Sequence, residues 1–175
     1  MVAGGRLVPE SLAVRDDDRS LTFGALDRRT DAIARSWRAM GIDEHSSIGL
    51  LLLNRVAFLE AMFAAHKLGA EIVFLNTAFA GPQVAEVVAS HEINLLVHDR
   101  DLADAAAGTG VPLVDERRLD DAVIGAPEGT VPPPARPSRV VVLTSAQARR
   151  AARRAQPGPA ATRSTPPGSW RACPS

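Results

Sequence analysis

The apolar segment at residues 48–53, IGLLLL, limits the fold of this chain more than any other feature. Six residues are too few for a typical helix, and a strand of this composition is apolar on both faces. Strands of this kind lie in the middle of parallel sheets, where helices cover both sides. The neighbouring sequence must therefore supply crossover helices and further parallel strands.

Helical and strand patterns alternate from residue 22 to residue 143. Thr22 can cap a first helix that ends at Gly41. The apolar face of this helix comprises Leu26, Ile33, Ala34, Trp37 and Met40, and its charged residues, Arg29 among them, fall mostly on the opposite face. A second helix over residues 55–68 has Phe58, Met62, Ala65 and Leu68 on one stripe.

Further elements follow in alternation. The patterns predict a helix over residues 82–90 and strands over 71–75, 93–97, 111–114 and 140–143, the last being a short buried strand. We expect an α/β fold, with a mostly parallel sheet flanked by helices and its core at residues 50–53 and 72–75.

A small hairpin is predicted ahead of the first helix. Residues 12–14 and 20–22 flank the polar turn 16–19, DDDR. Three adjacent aspartates could hold a cation, but a solvated turn is favoured because no further ligand is spaced to close a cage.

Charge divides the chain into two parts. Residues 1–144 carry a net charge of −6, whereas the remaining 31 residues carry six arginines and no acid. We interpret residues 1–145 as one folded unit, with an exposed Pro-rich connector at 120–138. Residues 146–175 are predicted to form a basic, disordered tail.

The sequence carries no sign of secretion, disulfide bonding or membrane insertion. The single cysteine, Cys173, leaves no intramolecular disulfide or CxxC metal site and fits a reducing compartment. Arg6, Pro9 and Glu10 interrupt the region where a secretory signal needs an apolar run, and the longest such run is far below the roughly 20 residues that span a bilayer. We expect a cytoplasmic protein with no membrane span.

Catalytic and metal-binding patterns are weak. The histidines lack HxxxH or HExxH spacing; they are His45, His66, His91 and His98. His66 is interpreted as structural, Asp99 and Asp101 as parts of a charged turn, and residues 108–110, GTG, as a loop. No catalytic residue and no metal site is predicted.

Three longer stretches carry a family resemblance. They are residues 20–42, 48–79 and 81–99, and the most specific part is HKLGAEIVFLN at 66–76. They resemble the N-terminal subdomain of the adenylate-forming superfamily, and within it the fatty-acyl-CoA synthetases, which are acid–CoA ligases. The likeness covers about residues 8–145 and only the first third of such an enzyme.

The resemblance implies an activity and its cofactors. Such ligases use ATP and Mg²⁺ to convert a fatty acid to an acyl-adenylate, and then transfer the acyl group to coenzyme A. A phosphate loop rich in glycine and threonine, ending in Pro-Lys-Gly, should follow the strand at 140–143. The chain retains Thr144 and Ser145 as candidate cofactor-binding residues and continues with AQARRAARR. We therefore expect no bound cofactor and no catalysis by this chain alone.

A shifted reading frame can account for the change after Ser145. One permitted codon choice for residues 146–153, preceded by a single added guanine, translates as Gly-Thr-Gly-Thr-Pro-Arg-Gly-Ala. This is close to the family's loop, with arginine for its lysine. We hypothesise that a one-nucleotide deletion replaced the rest of a ligase by an out-of-frame tail.

Two alternatives remain open. The chain could be a non-catalytic interaction module that associates with itself or with an intact relative through exposed apolar surface. Alternatively, the tail could bind nucleic acid through Arg149, Arg150, Arg153 and Arg154. Specific nucleic-acid recognition is disfavoured, because Trp170 is the sole aromatic residue there that could stack on a base.

Overall fold

A computed structural model describes residues 8–143, which contain seven strands, five α-helices and one 3₁₀ turn at Arg100–Leu102. The strands are β1 Leu12–Arg15, β2 Ser20–Thr22, β3 Ser47–Leu51, β4 Glu71–Phe74, β5 Leu95–His98, β6 Leu113–Asp115 and β7 Val140–Val142. The helices are α1 Phe23–Ala39, α2 Val56–Leu68, α3 Gly81–Ser90, α4 Ala103–Ala106 and α5 Arg118–Ile124. Thr144, Ser145 and the basic tail lie outside the described residues.

The central sheet has five strands in the order β6-β5-β3-β4-β7, and every neighbouring pair is parallel. Ile48 of β3 lies opposite Ile72 of β4 and Leu95 of β5, so residues 48–51 of the segment IGLLLL form the central strand. Leu52 and Leu53 lie in the loop that follows, and Leu53 is 38% exposed instead of lying in the predicted core. Helices α1, α2 and α5 cover one face, and α3 and α4 cover the other. The predicted α/β fold is confirmed.

The hairpin and the first helix begin as their sequences predict. Strands β1 and β2 pair antiparallel, and the Thr22 hydroxyl accepts a hydrogen bond from the N–H of Ala25 at 3.2 Å. Met40 departs from the prediction: it is 52% exposed instead of lying on the apolar face. Because α1 ends at Ala39, Met40 occupies the C-cap position and leaves the buried stripe before Gly41, whose φ is +91°.

The buried face of α2 also differs from the prediction. Ala65 and Leu68 are buried, but Phe58 and Met62 are only partly buried. The interior side of the helix is formed largely by alanines, namely Ala57, Ala61, Ala64 and Ala65. These small side chains let α2 pack closely against α1 and the sheet, and they leave the larger residues at the margin of the core.

Two features near the end of the described chain correct the expectations. Residues 120–124, assigned to the connector, form most of α5, which buries Leu119. The predicted strand at 140–143 joins the main sheet, but within residues 8–143 it lies at the edge of the sheet instead of being buried. Val140 and Val142 are 50% and 64% exposed because β7 has a neighbouring strand on one side only among the described residues.

Membrane insertion by a helix has no support in the described part of the chain. No helix within residues 8–143 combines the length and the apolar character that crossing a bilayer requires.

Candidate functional site

The carboxyl ends of the five parallel strands define the edge where open α/β sheets bind their ligands. Phe74 pairs with Val142, so the end of β7 lies beside the end of β4 at this edge. The predicted cofactor-binding residues, Thr144 and Ser145, come two and three positions after Val142 in the sequence. Their own positions fall outside the described residues.

The loop between β3 and α2 is held in place by Asp99. This residue follows β5, is 2% exposed, and accepts the backbone N–H of Leu53 with its Oδ2 atom. Asp101 is exposed in the 3₁₀ turn, so the two carboxylates do not form a pair. Both residues lie in the charged turn between β5 and α4 that the sequence predicts, with Asp101 exposed and Asp99 buried.

Asp16 holds the other end of the same loop. Its Oδ1 accepts the N–H groups of Asp18 and Arg19, at 3.0 and 2.9 Å, and closes the hairpin turn. Its Oδ2 accepts the N–H of Val56 at 2.7 Å and caps α2 from outside the helix. The hydrogen bond from Val56 is the main reason why the pKa of Asp16 lies below its usual value. In this turn the side chains of Asp17 and Asp18 are thus exposed to solvent, whereas the side chain of Asp16 holds the backbone in place.

We expect Asp16→Ala to lower the free energy of unfolding by about 1 kcal/mol at pH 7, the usual effect of losing a helix cap. The pKa of Asp16 is depressed in the folded state, so its contribution is present above the ordinary Asp pKa of about 3.9 and is lost as the pH falls through the folded value. Urea unfolding at pH 7 and pH 3 measures both effects. Asp17→Ala, an exposed change in the same turn, is the control; an equal loss in both variants would refute the cap.

A charged cluster joins the hairpin to three helices on the α1 side of the sheet. Glu60 of α2 is fully buried; its Oε2 lies 2.5 Å from Nη2 of Arg19, and its Oε1 accepts Nε–H of Arg29. Both arginines also donate to Oδ1 of Asp120 in α5. The cluster contains two cations and two anions, so the four residues balance one another's charge.

The pKa values of this cluster follow from its geometry. Burial disfavours the charged form of Arg29, but hydrogen bonds from its guanidinium to Glu60 and Asp120 outweigh that effect and raise its pKa. Burial likewise opposes the charge of Asp120, yet the Arg29 guanidinium lowers the pKa of that carboxyl. The helical pattern puts Arg29 among the charged residues opposite the apolar face of α1, and it gives no role to Glu60. The available signal was that Glu60 is the lone charged residue in the apolar run at residues 56–65.

Two neighbouring carboxylates, Asp115 and Glu116, lie where β6 ends. The Glu116 carboxylate accepts the N–H of Arg100 at 2.6 Å, and Asp115 accepts the N–H of Arg117 at 2.8 Å. Burial, with Asp115 next to it, raises the pKa of Glu116. Burial also opposes the charge of Asp115, but the bond from Arg117 and other contacts leave the pKa of Asp115 lowered. These carboxylates bind backbone groups and so order the loops at this edge.

The four histidines are dispersed. His98 is buried, with Nδ1 2.9 Å from the carbonyl oxygen of Asp99, and His66 is exposed in the last turn of α2. His45 and His91 line a polar cleft of about 540 Å³ at the opposite, amino edge of the sheet. Among residues 8–143, no group of three or more His, Cys, Asp or Glu side chains is placed to hold a metal ion.

The described loops at the carboxyl edge do not fit the phosphates of ATP. Phosphate cradles use glycines, which let several backbone N–H groups approach the anion. The loops that follow β3, β4, β5 and β6 contain no glycine; they span residues 52–55, 75–80, 99 and 116–117. The loops after these four strands therefore lack the glycines on which phosphate cradles depend, and the resemblance implies a phosphate loop after β7 instead.

Sequence comparisons agree with the fold. The family model described as AMP-binding enzyme matches residues 5–158. A 3-oxocholest-4-en-26-oate–CoA ligase of Rhodococcus rhodochrous is 27% identical over 110 residues, which are 62% of this chain and 20% of the relative. A feruloyl-CoA synthase of Amycolatopsis sp. is 31% identical over 106 residues, 61% of this chain and 22% of the relative. The chain thus spans about a fifth of the length of these curated relatives.

Solved structures show the same fold. O-succinylbenzoate coenzyme A synthetase (MenE) from Bacillus subtilis, in complex with AMP, superposes with a TM-score of 0.66 and 22% identity over 75% of this chain and 34% of that one. The N-terminal domain of FACL13 from Mycobacterium tuberculosis superposes with a TM-score of 0.67 and 21% identity, over 77% and 36% of the two chains. With the family match covering most of its length, this chain belongs to the AMP-binding, or adenylate-forming, enzyme family.

Proposed function

We propose that this chain corresponds to the N-terminal part of an ATP-dependent acid–CoA ligase. The observation that carries the proposal is the parallel pairing of β7 with β4, which directs the chain toward the carboxyl edge immediately before Thr144 and Ser145. The curated relatives named above are acid–CoA ligases or synthases, which favours a carboxylic acid, ATP with Mg²⁺ and coenzyme A as reactants. Thr144 and Ser145 are the proposed first residues of the phosphate loop, and a fatty acid is the proposed acid.

Catalysis by this chain alone is expected to be absent. After Ser145 the sequence continues with alanine, glutamine and arginine in place of the glycines and lysine that phosphate binding requires. Adenylation depends on positioning and on stabilising charge at the phosphates, and each contributes large factors to the rate. The boundary between folded unit and tail at Ser145 remains a prediction, since the family match runs to residue 158.

An ATP–pyrophosphate exchange assay tests this expectation. The full chain, supplied with Mg²⁺ and a panel of fatty, aromatic and sterol acids, should give the background rate. An intact acid–CoA ligase serves as the positive control. Acid-dependent exchange clearly above background would overturn the proposed inactivity.

The reading-frame hypothesis supplies the complementary test. We propose that inserting one guanine after codon 145 opens a long frame that encodes a glycine-rich loop and further ligase sequence. The product is expected to gain acid-dependent exchange. A stop codon soon after the insertion, or a frame without a phosphate loop, would refute the hypothesis.

A second candidate function is self-association, which the exposed edge of the sheet favours. Val140 and Val142 present apolar side chains on β7, and no further strand lies beside it within residues 8–143. Exposed apolar strand edges promote pairing between chains, and a charge on the edge opposes it. Sedimentation of the full chain is expected to show dimers that Val142→Lys dissociates. A monomer over the whole concentration range would exclude this role.

A further inference from the structure

Residues 131–138, VPPPARPS, form the later part of the connection between α5 and β7 and are named here the proline strap. The sequence predicts an exposed connector, and most of these side chains are indeed exposed. The backbone is nevertheless anchored to the folded unit at defined points. The segment also lines a groove with Asp27, Asp31 and Lys67, and Val131 packs against the core of the α1 face.

Glu44 provides the main polar anchor of the proline strap. Its Oε2 accepts the N–H of Ala135 at 2.8 Å. The Arg136 guanidinium lies against the same loop, with Nη2 2.8 Å from Nδ1 of His45 and 3.4 Å from the carbonyl oxygen of Glu44. The contact to Ala135 is made to a charged carboxylate, which makes it stronger than a hydrogen bond between neutral groups.

Gly69 provides the steric part of the anchor. Its φ is +74°, the left-handed conformation that ends α2. A Cβ atom at this position would lie 2.6 Å from Cβ of Pro134 and 3.0 Å from the carbonyl oxygen of Arg136. The proline strap therefore passes over α2 at a distance that only a glycine permits.

The anchored strap leads directly into β7. The carbonyl oxygen of Arg139 accepts the N–H of Ile72 at 2.8 Å. The Nε atom of Arg139 lies 2.6 Å from Oε2 of Glu71. Strand β7 has only three residues and pairs only with β4 among the described strands. So short an edge strand depends on the segment before it for its placement.

From these contacts we propose that Glu44 and Gly69 are positioning residues for β7 and, through β7, for the phosphate-loop residues that follow it. They act at the amino edge of the sheet, and the effect is transmitted along β7 to the carboxyl edge. The last step rests on the proposed ligase function, in which a phosphate loop follows β7. The first step, from the proline strap to β7, does not depend on that function.

Hydrogen exchange of the full chain, measured at pH 7, tests the first step. Glu44→Ala is expected to lower the protection of the β7 amides about 10-fold, the effect of losing one hydrogen bond to a charged group. The amides of β5, in the middle of the sheet, should keep their protection. Glu44→Gln retains an oxygen acceptor for Ala135 and should preserve most of the β7 protection. Glu128→Ala, a change at an exposed residue between α5 and the strap, is the matched control.

The outcomes separate a positioning role from general stability. Unchanged β7 protection in Glu44→Ala, or an equal fall at β5 and β7, would overturn the proposal. Gly69→Ala is a second, independent variant, and it should loosen β7 more than Glu44→Ala because it adds a steric clash to an unfavourable φ. These measurements require no ATP and no ligase activity. The role of Glu44 and Gly69 in positioning β7 can therefore be confirmed even if restoring the reading frame yields no ligase.

Discussion

Glu60→Ala is expected to lower the free energy of unfolding by about 3–5 kcal/mol, the usual cost of removing one partner from a buried ion pair. Glu60 is completely buried and binds the guanidinium groups of Arg19 and Arg29. Its removal leaves these two partly buried cations with Asp120 alone. The cluster also joins the hairpin to α1, α2 and α5, so its loss weakens the packing on one face of the sheet.

Urea unfolding followed by circular dichroism measures this effect, with Asp120→Ala as the matched control. The Asp120 side chain is 54% exposed, and exposed ion pairs contribute at most about 1 kcal/mol. Glu60→Gln keeps the shape and one acceptor oxygen but removes the charge, and should give an intermediate loss. Equal losses for Glu60→Ala and Asp120→Ala would contradict the account.

Trp37→Ala is expected to destabilise the protein by about 3–5 kcal/mol, because it opens a large cavity between α1 and the sheet. Trp37 is 1% exposed and is the bulkiest of the fully buried side chains in residues 8–143. Thermal and urea unfolding both measure the loss, and the m-value shows whether the two-state transition is preserved.

Two further variants define the origin of that loss. Trp37→Phe should cost much less than Trp37→Ala, because the indole N–H has no hydrogen-bond partner within the described chain and only volume is removed. Met40→Ala, three residues later and 52% exposed, should change stability by less than about 0.5 kcal/mol. A large effect of Trp37→Phe would mean that a polar contact, and not cavity formation, dominates.

The order and type of most elements could be read from local patterns, although the short helices α4 and α5 were not predicted. The all-apolar run IGLLLL predicts a central parallel strand, and β3 occupies that position. Thr22 predicts the start of α1 and Gly41 predicts its end, because capping and left-handed turns depend on residues close in sequence. Element boundaries shifted by one or two residues, as with β5 at Leu95–His98 in place of 93–97.

The candidate site was less predictable because its interactions are between distant residues. Asp99 meets Leu53 and Asp16 meets Val56 across at least 40 positions of sequence, and no local pattern specifies those partners. Glu60 could not be predicted for the same reason. Its neighbours in α2 are apolar and do not indicate that Arg19 and Arg29, from other elements, bind its carboxylate.

Hydrophobic periodicity and helix caps in the sequence alone were enough to predict an α/β fold, since they depend on residues close in sequence. The relationship to AMP-binding enzymes came from the resemblance of whole stretches of sequence to that family. Tertiary packing decided which apolar residues are buried. Met40 and Val142 are as apolar as their core neighbours, yet one lies past a helix end and the other on a sheet edge. Tertiary packing also decided that the proline strap is anchored at Glu44 and Gly69, because these contacts form only where the fold brings distant segments together.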